Sequence, residues 1–317
     1  MAKSDRAVDY IAPAEALKEI AEAVPADCHD KIVVIGSLAV GYHYFCNQLD
    51  MGVRTKDADC LLFPREAAVH AGIAITNKLF EAKWRFRPDD KWDKPGDLNT
   101  SEQQLPAVRL QPPGHSGWFI ELLTVPGSPS DRTLRWMRIA TRHGHFALPS
   151  FGFIALANHA PIKTDFGLFI ARPDMMALAN LLEHPTIAPQ TMTGGFADRN
   201  DIKRSNKDLG RVLAIARLAI GQDEDALLDW PNEWLTPLQD RFPDDWKDLA
   251  ERAGLGLRAL LQSEPDLEQA LYTCANGLLA SKPPTLKQLR IAGERLLQDA
   301  IIPLEETAKK TRVSPHI

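Results

Sequence analysis

The sequence predicts an α/β (α+β) protein, with a mixed sheet and flanking helices over residues 1–150 and an α-helical domain over 151–317. Three observations carry that prediction. Lys31 to Phe63 reads as a buried strand, a glycine turn opening a helix, and a second strand. From about Phe151 onward the chain becomes alanine- and leucine-rich with helical periodicity. A hydrophobic share of 44% and a charged share of 25% over 317 residues are ordinary globular values, with ample length for a core.

In chain order, Ile11, Leu17, Ile20 and Val24 predict an amphipathic helix over 10–24. Ile32 to Ile35 form the first strand, and Gly36-Ser37 opens the following helix. Asp57 heads a strand running to Phe63, where Pro64 ends it, and Arg65 to Phe80 reads as a crossover helix. Lys83 to Arg87 alternates basic and aromatic residues, which suits a solvated edge strand better than an RNA-binding stripe. Residues 88–104 are polar and turn-rich, and predict a loop. Leu105 to Leu110 and Gly117 to Val125 then form neighbouring strands around Pro112-Pro113-Gly114. Residues 133–146 are strongly basic. Helices are expected at 173–183, 200–220, 236–262, 265–281 and 285–300, with a loop over 184–199 and a frayed tail from about Glu305.

Composition excludes several classes. A net charge of −5 gives no global attraction to nucleic acid or anionic membrane. Neither a signal peptide nor an apolar run of 18 residues is present, so a cytoplasmic protein without membrane attachment is expected. Cys28, Cys46, Cys60 and Cys274 lack the spacing of a zinc site and fit a reducing compartment. His143-Gly144-His145 has no third ligand at a suitable spacing and reads as non-ligating.

The chemistry lies in the acids. Asp57 and Asp59 fall on one face of their strand, roughly 6.6 Å apart along it, with Ala58 on the other. Two carboxylates on one face repel and resist desolvation unless a cation sits between them, and a divalent metal is the simplest such cation. Glu121 is a further acid between Phe119 and Leu123 on a later strand face. A dinucleotide-binding reading fails on two details. Leu38 stands where a second glycine should admit the pyrophosphate, and the acids precede the apolar run instead of ending it. No Gly-Lys-Ser/Thr follows, which excludes a Walker-type phosphate loop. What fits is a phosphoryl-transfer site. Gly36 and Ser37 offer helix N-terminal N–H groups to a triphosphate, while Asp57, Asp59 and Glu121 hold one or two Mg²⁺.

GSLAVGYHYF followed by Arg54-Thr55-Lys56-Asp57-Ala58-Asp59-Cys60-Leu61-Leu62 resembles the DNA polymerase beta-like nucleotidyltransferase superfamily. The Arg-Thr-Lys-Asp-x-Asp form is similar to its bacterial AbiEii-like branch, which includes toxins of toxin–antitoxin pairs. The resemblance implies a nucleotidyltransferase-like mixed sheet in 1–150 carrying the metal and NTP site, with the helical domain 151–317 closing the cleft. It implies Mg²⁺ (with Mn²⁺ as a substitute) and nucleotidyl transfer from an NTP to a hydroxyl. Catalytic and metal roles fall to Asp57, Asp59 and Glu121, and nucleotide-binding roles to Gly36, Ser37, Lys56 and Lys207, the last from the Lys207-Asp208 pair. The branch suggests tRNA or another RNA as acceptor and an antitoxin protein as partner. Two rivals stand beside this reading: a small-molecule (antibiotic-like) nucleotidyltransferase, and a non-catalytic relative that binds a nucleotide or a partner. Two departures are visible: the gap from Ser37 to Asp57 needs an insertion near Asn47 to Gly52, and Ala58 replaces a larger aliphatic residue.

Overall fold

The computed structural model describes residues 10–48, 51–87, 94–114, 117–128, 131, 134–188, 196–197 and 202–313. Parts of the predicted 88–104 and 184–199 loops, of the Asn47–Gly52 insertion and of the tail lie outside these residues. The protein is mixed α/β and divides into two compact units. The first comprises 1–124, 136–149 and 163–170; the second comprises 125–135, 150–162 and 171–317. The chain therefore passes between units several times, where the sequence reading placed one boundary at residue 150. Among the described residues no helix is long and apolar enough to cross a membrane.

In the first unit the strands, in chain order, begin with β1 (Tyr10–Ile11), β2 (Ile32–Ile35), β3 (Val53–Arg54) and β4 (Asp57–Leu62). They continue with β5 (Arg85–Phe86), β6 (Arg109–Gln111), β7 (Phe119–Thr124), β8 (Arg135–Thr141) and β9 (Gly144–Ser150), and end with β10 (Ile162–Lys163) and β11 (Phe169–Ile170). Seven of these make one mixed sheet in the order β10-β11-β2-β4-β7-β6-β5. β4 is central, antiparallel to β2 and parallel to β7. Its composition explains that place. Cys60, Leu61 and Leu62 are fully buried, as a strand covered on both faces requires, while Asp57 and Asp59 at its head stay half-exposed. Burying Leu61 and Leu62 contributes about 1.5–3 kcal/mol each.

Three helices flank this sheet: α1 (Pro13–Ala23), α2 (Gly36–Phe45) and α3 (Arg65–Glu81). Tyr10 and Ile11 are not helical, contrary to the expected helix over 10–24. They pair with Val53 and Arg54, and Pro13 starts the helix at the position where its missing N–H costs nothing. The basic stretch 133–146 hides a hairpin, β8–β9, whose tight turn uses Gly144 at φ +116°. Its arginines have structural partners: Arg138 reaches the carbonyls of Asp97 and Thr100 and the His145 ring, and Arg142 pairs with Glu81 at 2.7 Å. His143 lies against the Phe80 ring.

The second unit is helical: α4 (Pro173–Leu182), α5 (Arg204–Gln222), α6 (Trp230–Arg241), α7 (Trp246–Arg252), α8 (Leu255–Gln262), α9 (Glu264–Ala275), α10 (Leu286–Leu296) and α11 (Ile302–Val313). A short pair, β12 (Phe196–Ala197) and β13 (Ile202–Lys203), precedes α5. α5 and α9 approach so closely at Gly210 that a Cβ there would lie 2.8 Å from the Ala270 carbonyl. The helix expected over 236–262 is three helices, broken where Pro243 and Gly254 interrupt it. The frayed tail expected from Glu305 is instead helix α11, because Leu304 and Ala308 are fully buried and Glu305 is taken by Arg258. A charged sequence at a chain end concealed that apolar stripe.

Candidate active site

The register of the sheet assembles the site. Asp59 stands opposite Ile35 on one side and Glu121 on the other, and Asp57 stands opposite Phe119. Paired residues of neighbouring strands share a face, as do residues two apart. Asp57, Asp59, Phe119 and Glu121 therefore project from the same side of the sheet. Arg109 joins the row beyond, paired with Glu121 across the antiparallel β6–β7 ladder.

The glycine turn closes the other flank. Because Ile35 ends β2 beside Asp59, α2 begins next to that carboxylate. Gly36 takes φ +73°, in the left-handed region that disfavours side chains, and a Cβ there would stand 3.2 Å from Asp59 Oδ2. Ser37 follows, half-buried in the first turn, where helix N–H groups lack intrahelical partners. Backbone donors and carboxylate thus meet at the end of β2.

Asp57 and Glu121 are held by different neighbours. Thr55 donates its hydroxyl to Asp57 Oδ1 at 2.7 Å, which fixes that carboxylate at the strand head. Glu121 is 9% exposed, and Arg109 Nη2 donates to its Oε1 at 3.0 Å. Two guanidinium groups lie over the Phe119 ring, Arg87 at 5.0 Å from its centroid and Arg109 at 5.8 Å. Lys56 is exposed and is tied in through its backbone, the carbonyl accepting from Phe119 N–H at 2.9 Å.

Of the residues singled out from sequence, Gly36, Ser37, Lys56, Asp57, Asp59 and Glu121 belong to this unit; Asp57, Asp59 and Glu121 share one sheet face by pairing, Gly36 stands against Asp59, and Ser37 follows it in the helix. Lys207 belongs to the second unit, half-buried on α5. Its neighbour Asp208 is turned into the helical core, where burial pushes its carboxyl above the usual range against the pull of Arg211, Arg204 and Lys207.

Donor chemistry fits a hard divalent cation at Asp57 and Asp59, with Glu121 alongside. Among the described residues, however, no three His, Cys, Asp or Glu side chains converge as a ready ligand set. Thr55 holds Asp57, and Arg109 holds Glu121. Sequence reasoning missed Arg109, the place of Arg87 over Phe119 and the role of Thr55. The available signal was the Pro112-Pro113-Gly114 turn. A hairpin folding about it places position 109 opposite 121, but only once the loop length is known.

No family model matches the chain, and no curated protein or solved structure matches it either.

Proposed function

We propose that the protein is a metal-dependent nucleotidyltransferase that moves a nucleoside monophosphate from an NTP to a hydroxyl acceptor. The observation that carries this reading is the single sheet face on which Asp57, Asp59 and Glu121 stand in register, with the Gly36 turn against Asp59. In this reading the Gly36 and Ser37 amides hold the triphosphate at the helix N-terminus. Asp57 and Asp59 would hold Mg²⁺, with Mn²⁺ as substitute, which would supply positive charge at the transferring phosphate. The acceptor oxygen bonds to the α-phosphorus, its proton passes to Glu121, and the bond to the bridging oxygen breaks to release pyrophosphate. Lys56 and Lys207 are proposed nucleotide contacts. The resemblance to the toxin-type branch favours tRNA or another RNA as acceptor, an antitoxin as cognate partner, and a cytoplasmic setting.

A second reading has one observation in its favour. The Arg109–Glu121 ion pair neutralises the third acid without a metal, as a non-catalytic nucleotide-binding relative would have it. Incubation with each α-labelled NTP, Mg²⁺ and total RNA, protein or small-molecule acceptors separates the two. Transfer that falls more than about 10³-fold in Asp57→Asn and Asp59→Asn, both still folded, supports the enzyme. Binding of NTP without transfer to any acceptor supports the second reading. Absence of transfer, NTP binding and metal binding together overturns both.

A further inference from the structure

The site face is segregated by charge. The central strands β4 and β7 carry Asp57, Asp59 and Glu121, and the strands at the sheet edge carry arginines. Arg85 pairs with Gln111 and Phe86 with Leu110, so the next step of the same antiparallel register sets Arg87, one residue past β5, beside Arg109. Two guanidinium groups lie over one Phe119 ring, and the ion pair with Glu121 belongs to Arg109. Two guanidinium groups at one ring raise the local positive potential, which attracts an anion.

We propose that Arg87 and Arg109, set over Phe119, form a phosphate-binding site beside the three acids. A guanidinium has five donors in one plane, so Arg109 can serve Glu121 and a phosphate at once. Both groups stand within 6 Å of the ring centroid, Arg87 at 5.0 Å and Arg109 at 5.8 Å, close enough for cation–π attraction. On the same strands, Arg85 and Gln111 line a cleft of about 390 Å³, together with Lys83, Phe86 and the Pro112 to Gly114 turn. That volume lies in the range of small-molecule sites. This inference rests on the nucleotidyltransferase reading only for the origin of the ligand. The phosphate belongs either to the NTP or to the molecule offering the hydroxyl.

The test uses the full-length chain, without metal and with it, in wild type, Arg87→Met and Arg87→Lys. Calorimetry measures a non-hydrolysable NTP analogue, a dinucleotide with one phosphodiester, and the corresponding nucleoside with no phosphate. Arg87→Met is expected to weaken at least one phosphorylated probe about tenfold, with Arg87→Lys recovering part of the loss and the nucleoside unaffected. Loss in the analogue arm identifies the NTP as the source, and loss in the dinucleotide arm identifies the acceptor; either supports the site. An unchanged affinity for both phosphorylated probes in a folded Arg87→Met overturns it, as does an equal loss for the nucleoside. Binding read without metal or turnover stands apart from the transferase assay, so the site can fail while the reaction survives, and the reverse.

Discussion

Two arginine–glutamate pairs, one in each unit, look alike in sequence and differ in what they do. In the helical unit, Arg258 on α8 meets Glu305 on α11 with two hydrogen bonds, Nη1 to Oε1 at 2.6 Å and Nη2 to Oε2 at 2.8 Å. Gly254 makes room for the pair, since a Cβ there would lie 2.3 Å from Arg258 Nη1. Both carboxylate oxygens are committed to one partner, the arrangement of a structural clamp. In the sheet unit, Arg109 reaches Glu121 through a hydrogen bond at 3.0 Å, on a face that carries two more carboxylates. The first pair balances its own charge. The second sits within a larger set of charges, with Asp57 and Asp59 on the same face and the Arg87 guanidinium over the Phe119 ring.

The largest effect expected from this contrast is on stability. Arg258→Met strands Glu305, which is 6% exposed, and should cost about 2–3 kcal/mol. That figure is below the range for fully buried pairs, since the Arg258 side chain is 35% exposed. Thermal unfolding of Arg258→Met should be indifferent to Mg²⁺. Arg109→Met should also lower the midpoint in chelator, by leaving three like charges together, yet recover when Mg²⁺ is added. Equal behaviour of the two variants would erase the distinction.

A smaller effect is expected at Gly36. Gly36→Ala meets both the left-handed backbone and the nearby Asp59 carboxylate, and should destabilise by about 1 kcal/mol. Transfer activity should fall far more than stability, because the new methyl group displaces Asp59. Loss of stability and activity in proportion would mean that the turn is only structural.

The smallest effect sharpens the comparison with a third pair. Arg211 Nη1 stands 3.4 Å from Asp208 Oδ1, too far to offset burial, and the Asp208 carboxyl is raised. An acid raised on folding stabilises fully below its unfolded value of about 3.9, and that contribution is lost as pH rises through the folded value. Asp208→Asn should therefore match wild type at low pH and exceed it in stability above that window. Unfolding midpoints measured across the pH range check the sign.

How much was legible follows from how local each feature is. The β2–α2–β4 succession could be read directly because alternation, a glycine turn and a short apolar run are local signals, and Asp57 and Asp59 share a face by period alone. The β8–β9 hairpin escaped notice because its arginines mask the alternation, and their partners lie tens of residues away in sequence. α11 escaped for a similar reason: its apolar stripe is thin, and Glu305 is an interior residue only in the company of Arg258.

By itself, the sequence determined the α/β character, the strand that heads with two acids and the glycine that opens α2. These depend on side-chain period and on backbone freedom, which each residue carries with it. Tertiary structure alone decided that Glu121 stands beside Asp59 and that Arg109 holds it. It alone decided, too, that Arg87 shares the Phe119 ring. Those facts depend on strand order and register, and a one-residue slip would have turned every one of these side chains to the opposite face.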